Sequence, residues 1–158
     1  MRKRILQPSP ETPPAAKEID IASIATVVVT SETEENPVEN LFDGRPGRGG
    51  ARWQASGPGE QTIVLEFDAP QSIRRVVFEV EETEAERRQE VDLSVSADGG
   101  ASYREVVRQE YNFSPNGATF EREDWHVAAD GVTHLRLRIR PDKGGGPWAA
   151  KATTLAIR

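Results

Sequence analysis

The feature that most constrains the fold is the regular alternation of large apolar side chains with other residues. It runs over residues 63–67, 91–96 and 135–140, where Val, Leu, Ile and Phe occupy every second position. Successive side chains of an extended strand point to opposite faces, so each segment has one face suited to a core. Three arginines fill the intervening positions of residues 135–140. The pattern predicts strands with one dry face and one wet face, as in antiparallel sheets.

Further strands are predicted where β-branched or aromatic residues cluster between turn formers. They cover residues 25–30, 73–80, 103–107, 119–127 and 153–157. Asp98-Gly99-Gly100, Asn116-Gly117 and Asp130-Gly131 supply residues that tolerate the positive φ of tight turns between strands. Residues 81–89 have helix-forming side chains but no apolar stripe, so they are predicted to form a charged loop. About eight strands indicate an all-β protein, an antiparallel β-sandwich of jelly-roll type.

The chain is predicted to hold one domain and one arm. Residues 1–18 contain several prolines and almost no large apolar residue, which predicts a flexible Pro-rich arm. Residues 19–158 are predicted to form the β-sandwich. Prolines follow the basic start where a signal peptide needs an apolar stretch, and no apolar run approaches the ~20 residues of a membrane span. A cytoplasmic location is therefore expected.

Composition and motifs argue against several classes of function. The chain has 20 Lys and Arg against 26 Asp and Glu, a formal charge of -6, which disfavours nucleic acid as a partner. It has no Cys, which excludes disulfides, thiolate metal sites and Cys nucleophiles. His126 and His134 lack the spacing of a metal site, and no nucleophile-elbow or zinc-protease motif occurs. We therefore expect no enzyme activity and no cofactor.

Carboxylates occur in two dense groups, within residues 79–86 and 121–124. Two of them could form the acid and base of a hydrolase, although their abundance makes that signal unspecific. The favoured interpretation is a set of solvated strand faces that pair across strands with Arg136, Arg138 and Arg140.

Loop aromatics, an amide and an arginine are the candidates for ligand binding. Trp148 follows a glycine run and Trp53 follows another, so either indole could stack on a sugar or plug an open end of the sandwich. Tyr111 and Asn112 lie in a segment predicted as a loop. Arg48 lies in a glycine-rich loop that is predicted to be mobile and could meet an anion.

Four motifs in register resemble those of a known family. They are Asn40-Leu41-Phe42-Asp43-Gly44 followed by Trp53, and the segments 61–67, 94–103 and 134–137. Over residues 20–158 the chain resembles the discoidin, or coagulation factor 5/8 type C, family. The resemblance implies a galactose-binding-like jelly roll, a fold used for carbohydrate binding, lipid binding and protein docking. It does not imply an enzyme activity.

The resemblance also implies where to look for ligands and metal. Ligands of the family sit on loops at one end of the barrel, which selects the loops that carry Arg48, Trp53, Tyr111, Asn112 and Trp148. A structural calcium would take Asp43 as its first ligand. Arg45 and Arg48 stand nearby where oxygen ligands are usual, and Ala156 stands near the place of a glutamate, which argues against the metal.

Three functions follow, in order of preference. The first is a non-catalytic module that binds carbohydrate through the end loops of a discoidin-like jelly roll. The alternative is an intracellular protein-protein interaction domain, favoured by the expected location, the poor calcium ligands and the arm. A hydrolase with a carboxylate pair comes third. The expected partner is therefore a carbohydrate or a protein, and the sequence leaves the oligomeric state open.

Overall fold

Strands dominate the computed structural model, which describes residues 1–3 and 17–158. The strands are β1 (Ala25–Val29), β2 (Trp53–Pro58), β3 (Gln61–Glu81), β4 (Arg87–Ser96), β5 (Arg104–Phe113), β6 (Phe120–Arg140), β7 (Ala149–Ala152) and β8 (Thr154–Ile157). One α-helical turn, α1 (Ile21–Ile24), and one 3₁₀ helix (Val38–Phe42) complete the elements. The all-β prediction is confirmed. The predicted arm falls mainly on residues 4–16, which lie outside the described residues.

Two long strands, β3 and β6, run through both layers of the sandwich. They pair antiparallel from Gln61 opposite Ile139 to Glu81 opposite Phe120, with register shifts between Glu66 and Arg75. In the part of β3 up to Glu66, the β3–β6 pair lies in one sheet with β1, β4 and β5. In the part of β3 after Arg75, β3 pairs with β6 on one side and with β8 on the other. Bends of this kind let a strand pass from one sheet to the other. The predicted antiparallel β-sandwich is confirmed, with β2 and β7 as a separate pair.

The alternation in the sequence accounts for the core between the layers. Leu135, Leu137 and Ile139 are fully buried, and so are Ile63 and Leu65 on the neighbouring strand. Each such side chain contributes about 1.5–3 kcal/mol when it leaves water. Side chains from both halves of β3 and β6 belong to one apolar cluster, so a single core holds the two layers together.

Arg138 and Arg140, in the second half of β6, face away from this core but do not meet the predicted partners. Arg138 Nε donates to Asp92 Oδ1 at 3.0 Å, and Arg140 forms an ion pair with Glu90. Both carboxylates lie on β4 and are buried beneath the longer cationic side chains. The prediction that these arginines pair with carboxylates of residues 79–86 and 121–124 was wrong, because β4 rather than those segments flanks the second half of β6.

The predicted turns are right in two of three places. Asp98-Gly99-Gly100 joins β4 to β5, and Asn116-Gly117 lies between β5 and β6. Asp130-Gly131 was predicted to separate two strands but lies inside β6, at its bend between layers. Gly131 has φ +64°, a left-handed conformation that L-residues with a Cβ adopt at a cost.

Replacing Gly131 with Ala should lower the free energy of unfolding by about 1–2 kcal/mol through backbone strain alone. No atom lies within 4 Å of the added Cβ, so a steric clash does not contribute. Urea unfolding measures the change, with Gly57→Ala as a control that also has open space but no positive φ. Equal effects of the two substitutions would contradict the proposed strain at the bend.

Candidate functional site

Five connections gather at one end of the sandwich, because the strand registers bring the end of β1 beside the start of β3, the end of β5 beside the start of β4, and the end of β6 beside both starts. They are residues 30–37, 43–52, 82–86, 114–119 and 141–148. Backbone hydrogen bonds tie these segments to one another and to the strand ends. The amide of Glu82 donates to Thr119 O at 2.7 Å, and the amide of Lys143 donates to Arg88 O at 2.8 Å. Two of the candidate residues, Arg48 and Trp148, lie on these connections.

A cleft of about 480 Å³ opens at this end over the outer face of β2 and β7. We call it the end cleft. Its lining includes the side chains of Thr33, Arg52, Gln54, Glu82, Glu84, Trp148 and Lys151. Trp148 is 40% exposed, which is unusual for a large apolar side chain in this structure. Its indole therefore offers an apolar surface beside hydrogen-bonding groups.

Short-range alternation explains how β2 and β7 build the floor of the end cleft. Trp53 and Ala152 pair in register and are fully buried, so the next residues, Gln54 and Lys151, face outward opposite each other. Arg52 Nε donates to Gln54 Oε1 at 3.2 Å, which orients the amide. The floor thus presents the Gln54 amide and the Arg52 guanidinium, while the Lys151 ammonium group is held by Glu82.

Two buried charges, Glu82 and Arg87, and the partly buried Lys151 form a cluster at the base of the end cleft. Glu82 contacts Arg87 Nε at 2.9 Å and Lys151 Nζ at 2.5 Å, and the Glu82 and Arg87 side chains are 2% and 0% exposed. Arg87 Nη1 also donates to Ala149 O at 2.9 Å, next to Trp148. Burial lowers the pKa of Arg87, and the charge of Glu82 opposes that effect. This cluster connects β4, the 82–86 loop and the backbone that carries the indole.

A second cavity, of about 320 Å³, lies between residues 18–21, the 3₁₀ helix and β8. Its aromatic member, Phe42, packs against the core. It therefore lacks the exposed ring that marks the end cleft, and we place the candidate binding site in the end cleft.

Of the residues predicted from the sequence, Trp148 lines the end cleft, while Trp53 and Arg48 do not. Trp53 is fully buried and its Nε1 donates to Ser31 O at 3.0 Å, so it plugs the sandwich and offers no surface to a ligand. Arg48 Nη1 donates to Thr119 Oγ1 at 2.9 Å, and its guanidinium lies 5.1 Å from the ring centroid of Phe120. Arg48 thereby ties its loop to β6, and a role in ligand binding stays a prediction.

Tyr111 and Asn112 belong to β5 rather than to a loop, so their predicted location was wrong. The β4–β5 pairing extends to Phe113, beyond the residues in which the sequence indicated a strand. Tyr111 is buried in the core, and burial raises the pKa of its hydroxyl, with the charge of Glu123 adding to the effect. Asn112 is exposed on the opposite face of the strand, where a binding role stays a prediction.

Asp43, the predicted calcium ligand, is engaged within its own loop. Its Oδ1 accepts a hydrogen bond from the amide of Arg45 at 2.9 Å. Within residues 1–3 and 17–158, no three Asp, Glu, His or Cys side chains are grouped so as to hold a metal ion. Calcium needs six or more oxygen ligands, so the residues present do not fit it.

Sequence reasoning did not select Arg52, Gln54 or Lys151, and it considered Glu84 only as one of the carboxylates of residues 79–86. The alternation of Trp53 with Gln54 and of Ala150 with Lys151 contains the signal, but each strand is short and flanked by Gly or Pro. The carboxylates Glu79 and Glu82 were predicted to be solvated and are buried. Glu79 accepts hydrogen bonds from the amide of Gly47 and from Arg122 Nη1, so it anchors the 43–52 loop.

The comparison with known families identifies the class of protein. The sequence model of the F5/8 type C domain matches residues 25–153. The chain therefore belongs to the F5/8 type C domain family, as the resemblance of its motifs predicted. A search of curated proteins found no significant match.

Solved structures with the same fold include three carbohydrate-binding modules in complex with sugars. The family 32 module of NanJ from C. perfringens, in complex with galactose, has a TM-score of 0.61 at 14% identity, covering 89% of this chain and 96% of that one. The AlyQ module, in complex with 4,5-unsaturated mannuronic acid, has 0.61 at 21%, covering 90% and 98%. CpGH89CBM32-5 from Clostridium perfringens, in complex with GalNAc-β-1,3-galactose, has 0.60 at 19%, covering 89% and 99%. These similarities establish the jelly-roll fold.

A search of the described helices for a segment of the length and hydropathy needed to cross a bilayer found none.

Replacing Glu82 with Ala should lower the free energy of unfolding by about 3–5 kcal/mol, because Arg87 would stay buried without its carboxylate. Chemical denaturation measures the effect. Glu110→Ala is the matched control, since Glu110 also pairs with two cations, Arg88 and Lys143, but is itself exposed, and exposed pairs contribute about 0–1 kcal/mol each. A loss no greater than that of the control would show that the cluster beneath the end cleft is not a structural support.

Replacing Glu123 with Gln should stabilise the protein at pH 7. Burial first, and then the nearby charge of Glu121, raise the pKa of Glu123 above its usual 4.5. A raised pKa in the folded state means that stability is greatest below the unfolded-state pKa and is lost as pH rises through the folded-state value. Thermal unfolding between pH 4 and pH 8 should show a gain that disappears at the acid end. The exposed control Glu34→Gln should not reproduce this profile, and a destabilised Glu123→Gln at pH 7 would contradict the expectation.

Proposed function

We propose that the protein is a non-catalytic module that binds carbohydrate in the end cleft. The exposed indole of Trp148 beside Gln54, Arg52 and Lys151 is the observation that carries the proposal. A sugar ring combines an apolar face of C–H groups with a rim of hydroxyls. An aromatic platform flanked by a few polar side chains matches both features.

The polar groups of the end cleft suit hydroxyl ligands in particular. Gln54 has a carbonyl acceptor and an amide donor, while Arg52 and Lys151 only donate. Thr33 adds a hydroxyl, and its backbone amide donates to Gln54 O at 2.9 Å, which holds the 30–37 loop against β2. A pyranose on the indole would therefore find both donors and acceptors within the same cleft.

Comparison with neighbours supports a sugar as the ligand. Modules of the same fold have been solved with galactose, with 4,5-unsaturated mannuronic acid and with GalNAc-β-1,3-galactose, and another is described as pectin binding. Among these ligands, the shared chemistry is a pyranose ring with several hydroxyls. The particular sugar must be argued from the residues of this chain.

Binding without catalysis is supported by the state of the carboxylates. A glycoside hydrolase uses two carboxyl groups that flank the bond to be cleaved. The described residues that line the end cleft include two carboxylates, Glu82 and Glu84. Glu82 is paired with Arg87 and Lys151, so Glu84 has no second unpaired carboxylate with which to act as an acid and base pair. The protein-interaction alternative and the cytoplasmic location stay predictions.

Replacing Trp148 with Ala should weaken glycan binding at least tenfold, about 1.4 kcal/mol, because the stacking platform is lost. A panel of immobilised neutral and acidic glycans would first identify ligands of the unaltered protein, and isothermal titration would then measure affinity. Val28→Ala is the control, since Val28 is also an exposed apolar side chain but lies on β1. Thermal unfolding should be similar for both variants. Binding by Trp148→Ala at full affinity, or no binding of any glycan by the unaltered protein, would overturn the proposal.

A further inference from the structure

We propose that the end cleft prefers an acidic sugar, a glycan residue that carries a carboxylate, over its neutral counterpart. This inference rests on the proposed function and names the class of ligand for the same site. It is drawn from how the charges that line the end cleft are paired with one another.

Arg52 is the first reason. It lines the end cleft and is exposed, and no carboxylate among the described residues lies within the 4 Å that defines an ion pair with it. The hydrogen bond from its Nε goes to the neutral amide of Gln54. By contrast, Arg138 on the outer sheet face contacts Asp92 at 3.0 Å. A guanidinium presents a planar set of donors that matches the two oxygens of a carboxylate.

The second reason is that the other cations near the end cleft already have carboxylate partners. Glu82 is the ion-pair partner of both Lys151 and Arg87, and Asp142, which lines the neighbouring hollow of residues 58–60 and 140–147, is a second negative charge that acts on Arg87. The interactions within this group are strong because its side chains are little exposed and little water screens them. A ligand carboxylate can therefore pair with Arg52 without displacing a carboxylate of the protein.

Glu84 is the opposing charge, and it supplies an internal test. It lines the end cleft on the 82–86 loop, and its side chain is exposed. Its carboxylate would repel an acidic ligand held near Arg52. The model of the site therefore predicts that removing the charge of Arg52 and removing that of Glu84 have opposite effects on the same ligand.

The experiment compares free-acid oligogalacturonides and oligomannuronates with methyl esters of the same oligosaccharides, which keep the ring and lose the charge. Titration calorimetry at low and moderate salt should give about tenfold tighter binding of at least one free acid, as expected for one charge-assisted contact. That ratio should decrease as salt rises, because the site is partly exposed. The two acids distinguish which ring configuration the indole accepts.

Substitutions then test which residues cause the preference for the acid over the ester. Arg52→Gln should bring the ratio of acid to ester affinity close to one, whereas Glu84→Gln should raise it severalfold. Arg74→Gln is the control, since Arg74 forms an exposed pair with Asp130 away from the end loops and should leave the ratio unchanged. Circular dichroism and thermal unfolding would show that the variants remain folded.

The possible failures are distinguishable. The acidic preference would be overturned by an ester that binds as tightly as its acid, or by a ratio of acid to ester affinity that Arg52→Gln does not change. In either case, binding of a neutral glycan would still support the proposed function. A lack of binding by acids, esters and all neutral glycans would overturn the proposed function itself.

Discussion

The antiparallel pairing of β3 with β6 is the interaction on which the rest of the structure depends. These two strands are neighbours in both layers, so the same pair of segments sets the register of each sheet and the turn between them. Because they bend together, the buried side chains of both layers face one another across a single core. The positions of β1, β4, β5 and β8 then follow from pairing with one half or the other.

The candidate site is a consequence of that arrangement. Strands of both layers end on the same side, where their connecting loops contact one another through backbone hydrogen bonds. The small β2–β7 sheet closes over this end, with its inward residues in the core and its outward residues Gln54 and Lys151 on the floor of the end cleft. The buried cluster of Glu82, Arg87 and Lys151 then couples the core to the segment that presents Trp148.

How much of this could be predicted from the sequence depended on the range of the interactions involved. Alternation is local, so residues 63–67, 91–96 and 135–140 correctly indicated buried strand faces. The family motifs correctly indicated the jelly roll. Tyr111 was misplaced because the strand continues through it on account of its pairing with β4, a contact distant in the chain.

Charge pairing was the least predictable part of the site. Which carboxylate meets Arg138 depends on which strand flanks β6, and the burial of Glu82 depends on two cations from β4 and β7. A list of charged residues does not contain that information. The exposed indole was found because a glycine run before Trp148 excludes a strand there, whereas Gln54 and Lys151 lie on strands of only a few residues.

The charged outer strand β5 also bears on whether two copies of the chain can pair edge to edge. Within the described residues β5 pairs with β4 alone, so its other side is a free edge ten residues long. Such an edge can template the addition of a strand from a second copy. Arg104, Glu105, Arg108 and Glu110 are exposed along it, and inserting them into a growing intermolecular sheet would require stripping their hydration. The side chains of β5 therefore make the addition of a further strand at this edge costly.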